Sequence, residues 1–216
     1  PNELLRYNRV MLTILILIVV ILLSLTLHEA MHAYVANQLG DDTARLSGRM
    51  TLNPLPHIDP FMTILLPILS FLSLGIIFGG AKPVPINNNR LKYNEFGSAI
   101  VAIAGPLTNL FLALISGIWL RSSVVSDAWF AEILQLFCLS NIGLFAFNMI
   151  PFPPLDGSRL LYAFAPDFVR DVMSTIERNS LLFLILFVVL LRSFFGGFFV
   201  NIITSIFKII TGTNIF

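Results

Sequence analysis

The chain of 216 residues is too apolar for a water-soluble domain: 56% of its residues are hydrophobic and the mean hydropathy is +0.87. Only 12% of the residues are charged, whereas soluble domains carry about a quarter. A net charge of +1, with the basic residues scattered, argues against nucleic-acid binding. The single cysteine, Cys138, excludes a disulfide framework and a cysteine zinc cluster. The composition therefore predicts an integral, multi-pass membrane protein.

The first predicted element is a long apolar helix over residues 8–38, which ends before Gly40. Its run MLTILILIVVILLSLTL carries no charge and is long enough to cross roughly 30 Å of hydrocarbon. A signal-peptide core is shorter than this run, so we expect the helix to be retained rather than cleaved. The last third of the helix carries His28-Glu29-Ala30-Met31-His32, the pattern H-E-x-x-H.

This pattern brings metal-binding chemistry to one face of a helix. His28 and His32 are four residues apart and can offer two imidazole nitrogens to one ion, while Glu29 lies beside them and can move a proton. The arrangement is typical of zinc hydrolases. Ionisable side chains at membrane depth are costly and usually functional. The sequence therefore predicts a zinc site inside the membrane.

Two shorter segments follow the first helix. Residues 43–53 alternate loosely between polar and apolar side chains before a group of prolines, which predicts a strand ending in a turn. Residues 61–79 are apolar but contain Pro67 and Gly75. Because both residues disturb a helix, this segment either spans the membrane or dips in and returns.

Residues 98–120 and 130–150 are predicted as two antiparallel transmembrane helices, because a short connection joins two long apolar runs. Asn109 and Asn141 lie on these helices and are expected to form hydrogen bonds between helices. The apolar residues 181–210 are interrupted by an arginine and two glycines, which is compatible with one membrane crossing or two.

The second of these helices runs into residues 148–157 (NMIPFPPLDG), where three prolines must unwind the backbone. Irregular backbone at membrane depth persists only where protein or a water-filled cavity covers it. Asp156 is therefore predicted as a carboxylate on an unwound, polar segment at the edge of a transmembrane helix.

The sequence resembles the site-2 protease family of intramembrane zinc metalloproteases, because the H-E-x-x-H pattern is paired with Asn148-x-x-Pro151-x-Pro153-Pro154-Leu155-Asp156-Gly157. Gly105-Pro106-x-x-Asn109 is similar to that family's mid-chain signature. The resemblance covers residues 10–165 and is to the compact prokaryotic branch, since no PDZ or CBS domain is recognised.

The family resemblance implies a catalytic core of three helices, matched here by residues 10–38, 98–120 and 130–150. With the segments described above, it predicts an all-α polytopic membrane protein in one domain over residues 1–216. Additional re-entrant and C-terminal hydrophobic segments and a small β-hairpin or strand region complete the predicted fold.

The resemblance also implies that His28, His32 and Asp156 are the ligands of one catalytic Zn²⁺ and that Glu29 is the catalytic residue. The residue types favour the same third ligand, because catalytic zinc keeps three protein ligands and one open position. Among the remaining histidine, cysteine and carboxylate side chains, Asp156 is the one on unwound backbone at the edge of a transmembrane helix.

The implied reaction is regulated intramembrane proteolysis, the hydrolysis of peptide bonds in or near a transmembrane segment of a protein substrate, in the inner membrane of a prokaryote. Glu29 would take a proton from a zinc-activated water and pass it to the leaving amine. Asn148 either stabilises the developing oxyanion or makes a structural hydrogen bond between helices. A substrate strand could pair with an edge at residues 45–52 or 82–87, unless these are solvent loops.

The sequence is also compatible with two other functions, a catalytically silent zinc scaffold and a metal transporter. A structural zinc site needs no proton-handling carboxylate, so Glu29 argues against the scaffold. A transporter should show related halves or ionisable residues along a path, whereas here they gather at one place. His57 is expected to make a local hydrogen bond to Asp59, or else to gate the site or bind metal.

The topology prediction is that residues 61–79 make no net crossing, so that 81–97 and 151–180 both face the cytoplasm together with the loop after the first helix. Asp156 must approach the two histidines from the side on which the first helix ends, and a net crossing would carry it to the opposite face. The positive-inside bias agrees. A membrane-spanning 61–79 that is compensated by a second dip at 81–97 satisfies both arguments as well. The basic residues assigned to the cytoplasm are Arg45, Arg49, Lys82, Arg90, Lys92, Arg159, Arg170 and Arg178, against Arg6, Arg9 and Arg121 outside.

Overall fold

The computed structural model describes residues 2–74, 79–122, 125, 127–190, 193 and 196–213, and in these residues all regular structure is helical. The α-helices are α1 (Asn2–Gln38), α2 (Thr43–Leu46), α3 (Leu66–Leu74), α4 (Asn94–Arg121), α5 (Ala128–Asn148), α6 (Gly157–Phe164), α7 (Asp167–Arg178), α8 (Ser180–Leu190) and α9 (Gly196–Thr211). The prediction of an all-α fold with apolar helices is confirmed. The prediction of a small β-hairpin or strand region is wrong for the part of the chain that the structure describes.

Residues 43–53, predicted as a strand, form the single turn of α2 and an irregular loop. Asp41 accepts a hydrogen bond from the Thr43 amide, which starts the helical turn, and Gly48 stops it with a positive φ of 69°. The apolar residues of the loose alternation do not share a buried face: Leu46 is 72% and Leu52 68% exposed. A half-buried strand needs such a face, and it is missing here.

Helices α1, α4 and α5 are each long and apolar enough to cross a membrane, and they correspond to the three predicted core helices. Helix α4 packs against both of the others, and α1 also contacts α5. Small residues let α4 approach its neighbours closely, as is usual between membrane helices. One buried cluster combines α4, α5 and α9 and consists of Ala113, Cys138, Ile142, Phe207 and Ile210.

The segment predicted to span or re-enter begins with a π-helical turn, Pro60–Leu65, and continues into α3. Residues 79–80 return to its starting point: the Gly80 amide donates to Met62 O at 3.0 Å, and the Thr63 hydroxyl donates to Gly80 O at 2.8 Å. Gly75, used in the prediction of a bend, lies outside the described residues. Adjacent ends are what a re-entrant path requires, because a single crossing would separate them by the membrane thickness.

The C-terminal apolar segment forms two helices, α8 and α9, each shorter than the roughly 20 residues of a transmembrane helix. Helix α7 meets α8 at an angle of 97°. Helix α9 packs on α4 and α5. Arg192, which interrupts the predicted segment, lies outside the described residues.

Candidate active site

Helix α1 carries three of the predicted site residues and runs without a break through all of them. The four-residue spacing puts the rings of His28 and His32 on the same side, edge to face, with centroids 4.6 Å apart. Both histidines are buried, at 4% and 5% exposure. Glu29 is half-buried beside them.

Helix α4 closes over the two imidazoles at Gly105. A Cβ atom at this position would lie 2.6 Å from His32 Cε1 and 2.7 Å from His28 Cε1, and closer still to His32 Nε2. These separations are too short for any side chain. Gly105 is therefore required because it lets the α4 backbone lie directly against both rings.

The unwound segment after α5 brings a carboxylate to the histidines. Helix α5 ends at Asn148, and turns lead through the prolines to Asp156 at the start of α6. The backbone of Gly157 passes so close to the end of α5 that a Cβ there would lie 2.7 Å from Ile150 O. This tight return places Asp156 Oδ2 3.1 Å from His28 Nε2 and 3.5 Å from His32 Nε2.

The three side chains have the geometry of a metal site. The two Nε2 atoms are 3.0 Å apart, and the ligand atoms of His28, His32 and Asp156 all lie within 4.8 Å of one another. Zinc ligands at 2.0–2.1 Å in a tetrahedron are separated by about 3.4 Å. Two imidazoles and one carboxylate also match the donor types that zinc takes in catalytic sites. The residues present therefore fit a zinc ion.

Both histidines use their second ring nitrogen for a hydrogen bond. His32 Nδ1 lies 2.8 Å from Val101 O, and His28 Nδ1 lies 2.6 Å from Asn109 Oδ1. A carbonyl oxygen only accepts, so His32 Nδ1 carries the proton. In the neutral ring, which is the form that binds a metal, its Nε2 is then the bare nitrogen.

Glu29 faces a cavity of about 410 Å³ whose wall includes all three candidate ligands. The Val84 amide donates to Glu29 Oε2 at 2.9 Å. Val84 belongs to residues 82–87, which have no regular secondary structure and are exposed except for Val84, and Pro83 and Ile86 also border the cavity. This contact was not predicted, since residues 29 and 84 are distant in the chain and no local pattern links them.

Asn148 also borders the cavity. Its side-chain amide donates to Leu144 O in the same helix at 3.0 Å, so the alternative of a hydrogen bond between helices does not describe this contact. An amide group carries two N–H donors, and this bond occupies one of them. Asn109 and Asn141 do form the predicted bonds between helices.

His57 is not part of the metal-site geometry. Its Nε2 lies 3.0 Å from Thr51 O, and its buried Nδ1 has no hydrogen-bond partner. The predicted local hydrogen bond to Asp59 is therefore wrong. Asp59 instead accepts from the Phe61 and Met62 amides at the start of the π-helical turn.

Comparison with known proteins adds evidence that is independent of this geometry. The model of peptidase family M50 matches residues 118–192. A Bacillus subtilis (strain 168) protein named "Putative zinc metalloprotease YwhC" is 40% identical over 190 residues, which cover 82% of each chain. A Mycobacterium tuberculosis (strain H37Rv) protein with the same description, Rip2, is 28% identical over 87% of this chain and 71% of its own. No solved structure matches the chain.

The B. subtilis relative resembles this chain over most of both sequences, so the likeness extends well beyond the region that the family model matches. The long apolar helices agree with an integral membrane protein. The zinc named for the relatives agrees with the His-His-Asp group. The chain belongs to peptidase family M50, the site-2 protease family, and is an integral membrane protein of the zinc metalloprotease class.

Proposed function

We propose that the protein is an intramembrane zinc endopeptidase of the H-E-x-x-H type that cleaves membrane proteins in or near their transmembrane segments. It would do so in regulated intramembrane proteolysis, as one domain in the plasma membrane of a prokaryote. The observation that carries this proposal is the meeting of His28, His32 and Asp156 beside Glu29 at the wall of one cavity among apolar helices.

In this proposal, His28, His32 and Asp156 hold the metal. The two histidines lie on the buried face of α1, and Asp156 lies on the unwound segment that follows α5. Bound zinc supplies a Lewis acid that polarises the scissile carbonyl and lowers the pKa of water.

Glu29 is the proposed general base and general acid. It lies next to His28 on α1, and its half-buried carboxylate faces the cavity. The Val84 N–H holds one carboxylate oxygen, Oε2, at 2.9 Å, which leaves Oε1 to accept a proton from water and to deliver it to the leaving amine.

The substrate must present an extended backbone, because the peptide bonds of a helix are hidden in its own hydrogen bonds. Residues 82–87 border the cavity without regular secondary structure of their own and are the proposed place for it to dock. Asn148 is the proposed donor to the developing oxyanion, through the N–H that does not bond Leu144 O.

Cleavage of a single-span membrane protein by the purified protein in detergent tests this function. Glu29→Gln should keep a full equivalent of zinc and lose cleavage by about 10²-fold or more, since only proton transfer is removed. His28→Ala, His32→Ala and Asp156→Ala should each lose zinc and activity together, because each removes a metal ligand.

The same four variants separate the proposal from its rivals. A zinc scaffold would bind metal in the parent without cleaving any substrate. A transporter would move zinc into liposomes whether residue 29 is Glu or Gln. Full zinc binding by Asp156→Ala, as tight as in the parent, would show that the third ligand is another residue.

A further inference from the structure

A chain of buried hydrogen bonds leads from the backbone of α5 to His28. Asn141 Nδ2 lies 2.9 Å from Phe137 O and 2.9 Å from Ser24 Oγ. Asn109 Nδ2 lies 2.9 Å from Asn141 Oδ1, and Asn109 Oδ1 lies 2.6 Å from His28 Nδ1. Ser24, Asn109 and Asn141 are all fully buried, with 0% exposure.

The donor-to-acceptor direction of these hydrogen bonds is fixed at the α5 end. Phe137 O is a backbone carbonyl and can only accept, so the side-chain atom of Asn141 that faces it must be the NH₂ group. The other NH₂ hydrogen of Asn141 points to Ser24 Oγ. The amide oxygen of Asn141 therefore faces Asn109 and has to receive a donor there.

Each following group is forced in turn. Asn109 must present its NH₂ group to the Asn141 oxygen, which turns its own oxygen toward His28. That oxygen can only accept, so His28 Nδ1 must carry a proton. In the neutral ring, which is the form that binds a metal, His28 Nε2 is then the bare nitrogen, and it faces His32 Nε2 and Asp156 Oδ2. In this arrangement both side-chain amides and His28 Nδ1 have partners.

We propose that Asn141 is a positioning residue that sets the protonated nitrogen and the ring orientation of His28, acting through Asn109. This inference deepens the proposed function and rests on it, because it takes His28 as a zinc ligand. Asn141 is on a different helix from His28 and touches neither the metal-binding atoms nor the cavity wall. The side chain that joins Asn141 to the His28 ring is Asn109, and the separate contact of Asn141 with Ser24 on α1 is tested by its own variant.

Asn141→Leu tests the proposal, because leucine has a similar volume and cannot orient Asn109. We expect its zinc dissociation constant, measured against a chelator in detergent, to rise by about 10–100-fold, as for other partners of metal-bound histidines. The visible spectrum of the cobalt-substituted protein should change as well, since it reports ligand orientation. Ser24→Ala should have a smaller effect, because Phe137 O still orients Asn141.

Ser116→Ala is the matched control. Ser116 is buried in the same bundle at 3% exposure, and its hydroxyl lies at hydrogen-bond distance from two carbonyls of its own helix, Leu112 O and Ala113 O. Its zinc affinity and cobalt spectrum should equal those of the parent. Thermal unfolding of the metal-free proteins identifies any variant whose bundle is damaged.

A folded Asn141→Leu protein with the parent's zinc affinity and cobalt spectrum would overturn the proposal. If that variant does not fold, nitrogen-15 NMR of histidine-labelled, zinc-loaded parent protein decides instead. His28 must then show a protonated Nδ1 and a metal-bound Nε2, and coordination through Nδ1 would refute the inference. His28→Ala, measured in parallel, tests the proposed function separately: zinc retention there means that His28 is not a ligand at all.

Discussion

Gly105 is the residue on which the packing around the two histidines depends most directly. The α4 backbone lies against both rings at this point, and a single methyl group would overlap them. Neither ring can move away freely, because each is held at Nδ1, by Val101 O and by Asn109 Oδ1. A side chain at Gly105 would therefore displace the metal-binding Nε2 atoms of the two rings.

We predict that Gly105→Ala weakens zinc binding about tenfold or more, since overpacking a tight site costs about 1–3 kcal/mol and about 1.4 kcal/mol corresponds to tenfold in affinity. Zinc competition with a chelator measures the change. Gly143→Ala is the matched control, because a Cβ at Gly143 meets no atom within 4 Å. Equal zinc affinities for the two variants would contradict this account of Gly105.

At the level of single residues, much of the candidate site could be predicted from local patterns. The four-residue spacing puts His28 and His32 on one face of any helix, and the prolines before Asp156 predict an unwound segment. The Val84 contact to Glu29 and the chain through Asn109 and Asn141 could not be predicted. They join parts of the chain at least 32 residues apart, and only the packing of helices decides which side chains meet.

Among the elements, residues 82–87 are held at their last residue by a carboxylate just after α1, that of Asp41. Asp41 is fully buried, and its Oδ2 accepts from the Asn87 amide at 2.6 Å while Oδ1 accepts from the amide and hydroxyl of Thr43. Burial alone raises the pKa of Asp41, but the bonds from Thr43 and Asn87, together with Arg90 nearby, outweigh it and hold the pKa below its ordinary value.

This lowered pKa gives a pH-dependent prediction. A carboxyl group with a lowered pKa in the folded protein stabilises the fold above its unfolded pKa of about 3.9, and the contribution is lost as the pH falls through the folded value. Asp41→Asn should therefore lower the free energy of unfolding by about 1–3 kcal/mol at neutral pH, since it leaves buried donors facing another donor. The difference from the parent should shrink as the pH is lowered below about 4.

Thermal unfolding in detergent at several pH values measures this effect. Asp42→Asn serves as the control, because Asp42 is partly exposed and pairs with Arg90 near the surface, where ion pairs contribute about 0–1 kcal/mol. A destabilisation of Asp41→Asn that stays constant from neutral to acid pH would show that its charge has no part in anchoring residues 82–87.

The elements themselves were predictable where they are long and apolar, and less so where they are short. Helices α1, α4 and α5 follow from hydropathy alone, because each must satisfy its own backbone in lipid. The strand predicted at 43–53 was wrong because a weak alternation of polar and apolar residues does not show which side chains are buried. Leu46 and Leu52 of this segment are exposed. For 61–79 the composition left two paths open, and it is the contact of Gly80 with Met62 that favours re-entry.

For the whole molecule, the sides of the membrane remain a prediction. The site requires Asp156 to reach α1 near its C-terminal end, so the segments before α4 and after α5 should lie on one side. Single cysteines at Asn88, Asp127 and Asp167, all exposed, can report this in a Cys138→Ser background. An impermeant thiol reagent on intact cells should label only the cysteine at position 127.

Permeabilised cells should show labelling at all three positions, which controls for reactivity. Labelling of intact cells at position 88 or 167, but not at 127, would show that the protein has the opposite orientation in the membrane. Labelling at 88 and 127 without 167 would instead mean that the connections on the two sides of α4 and α5 do not follow the re-entrant path.

The candidate metal ligands also lie far apart along the chain. His28 and His32 are near its beginning, while Asp156 follows the last of the three long helices. An ion bound by all three side chains would be a cross-link between α1 and the segment that follows α5. Because such a cross-link closes a long loop of chain, metal binding is thermodynamically coupled to the assembly of the helix bundle. Removing the ion would therefore abolish the chemistry and also weaken the packing of α1 against the rest of the protein.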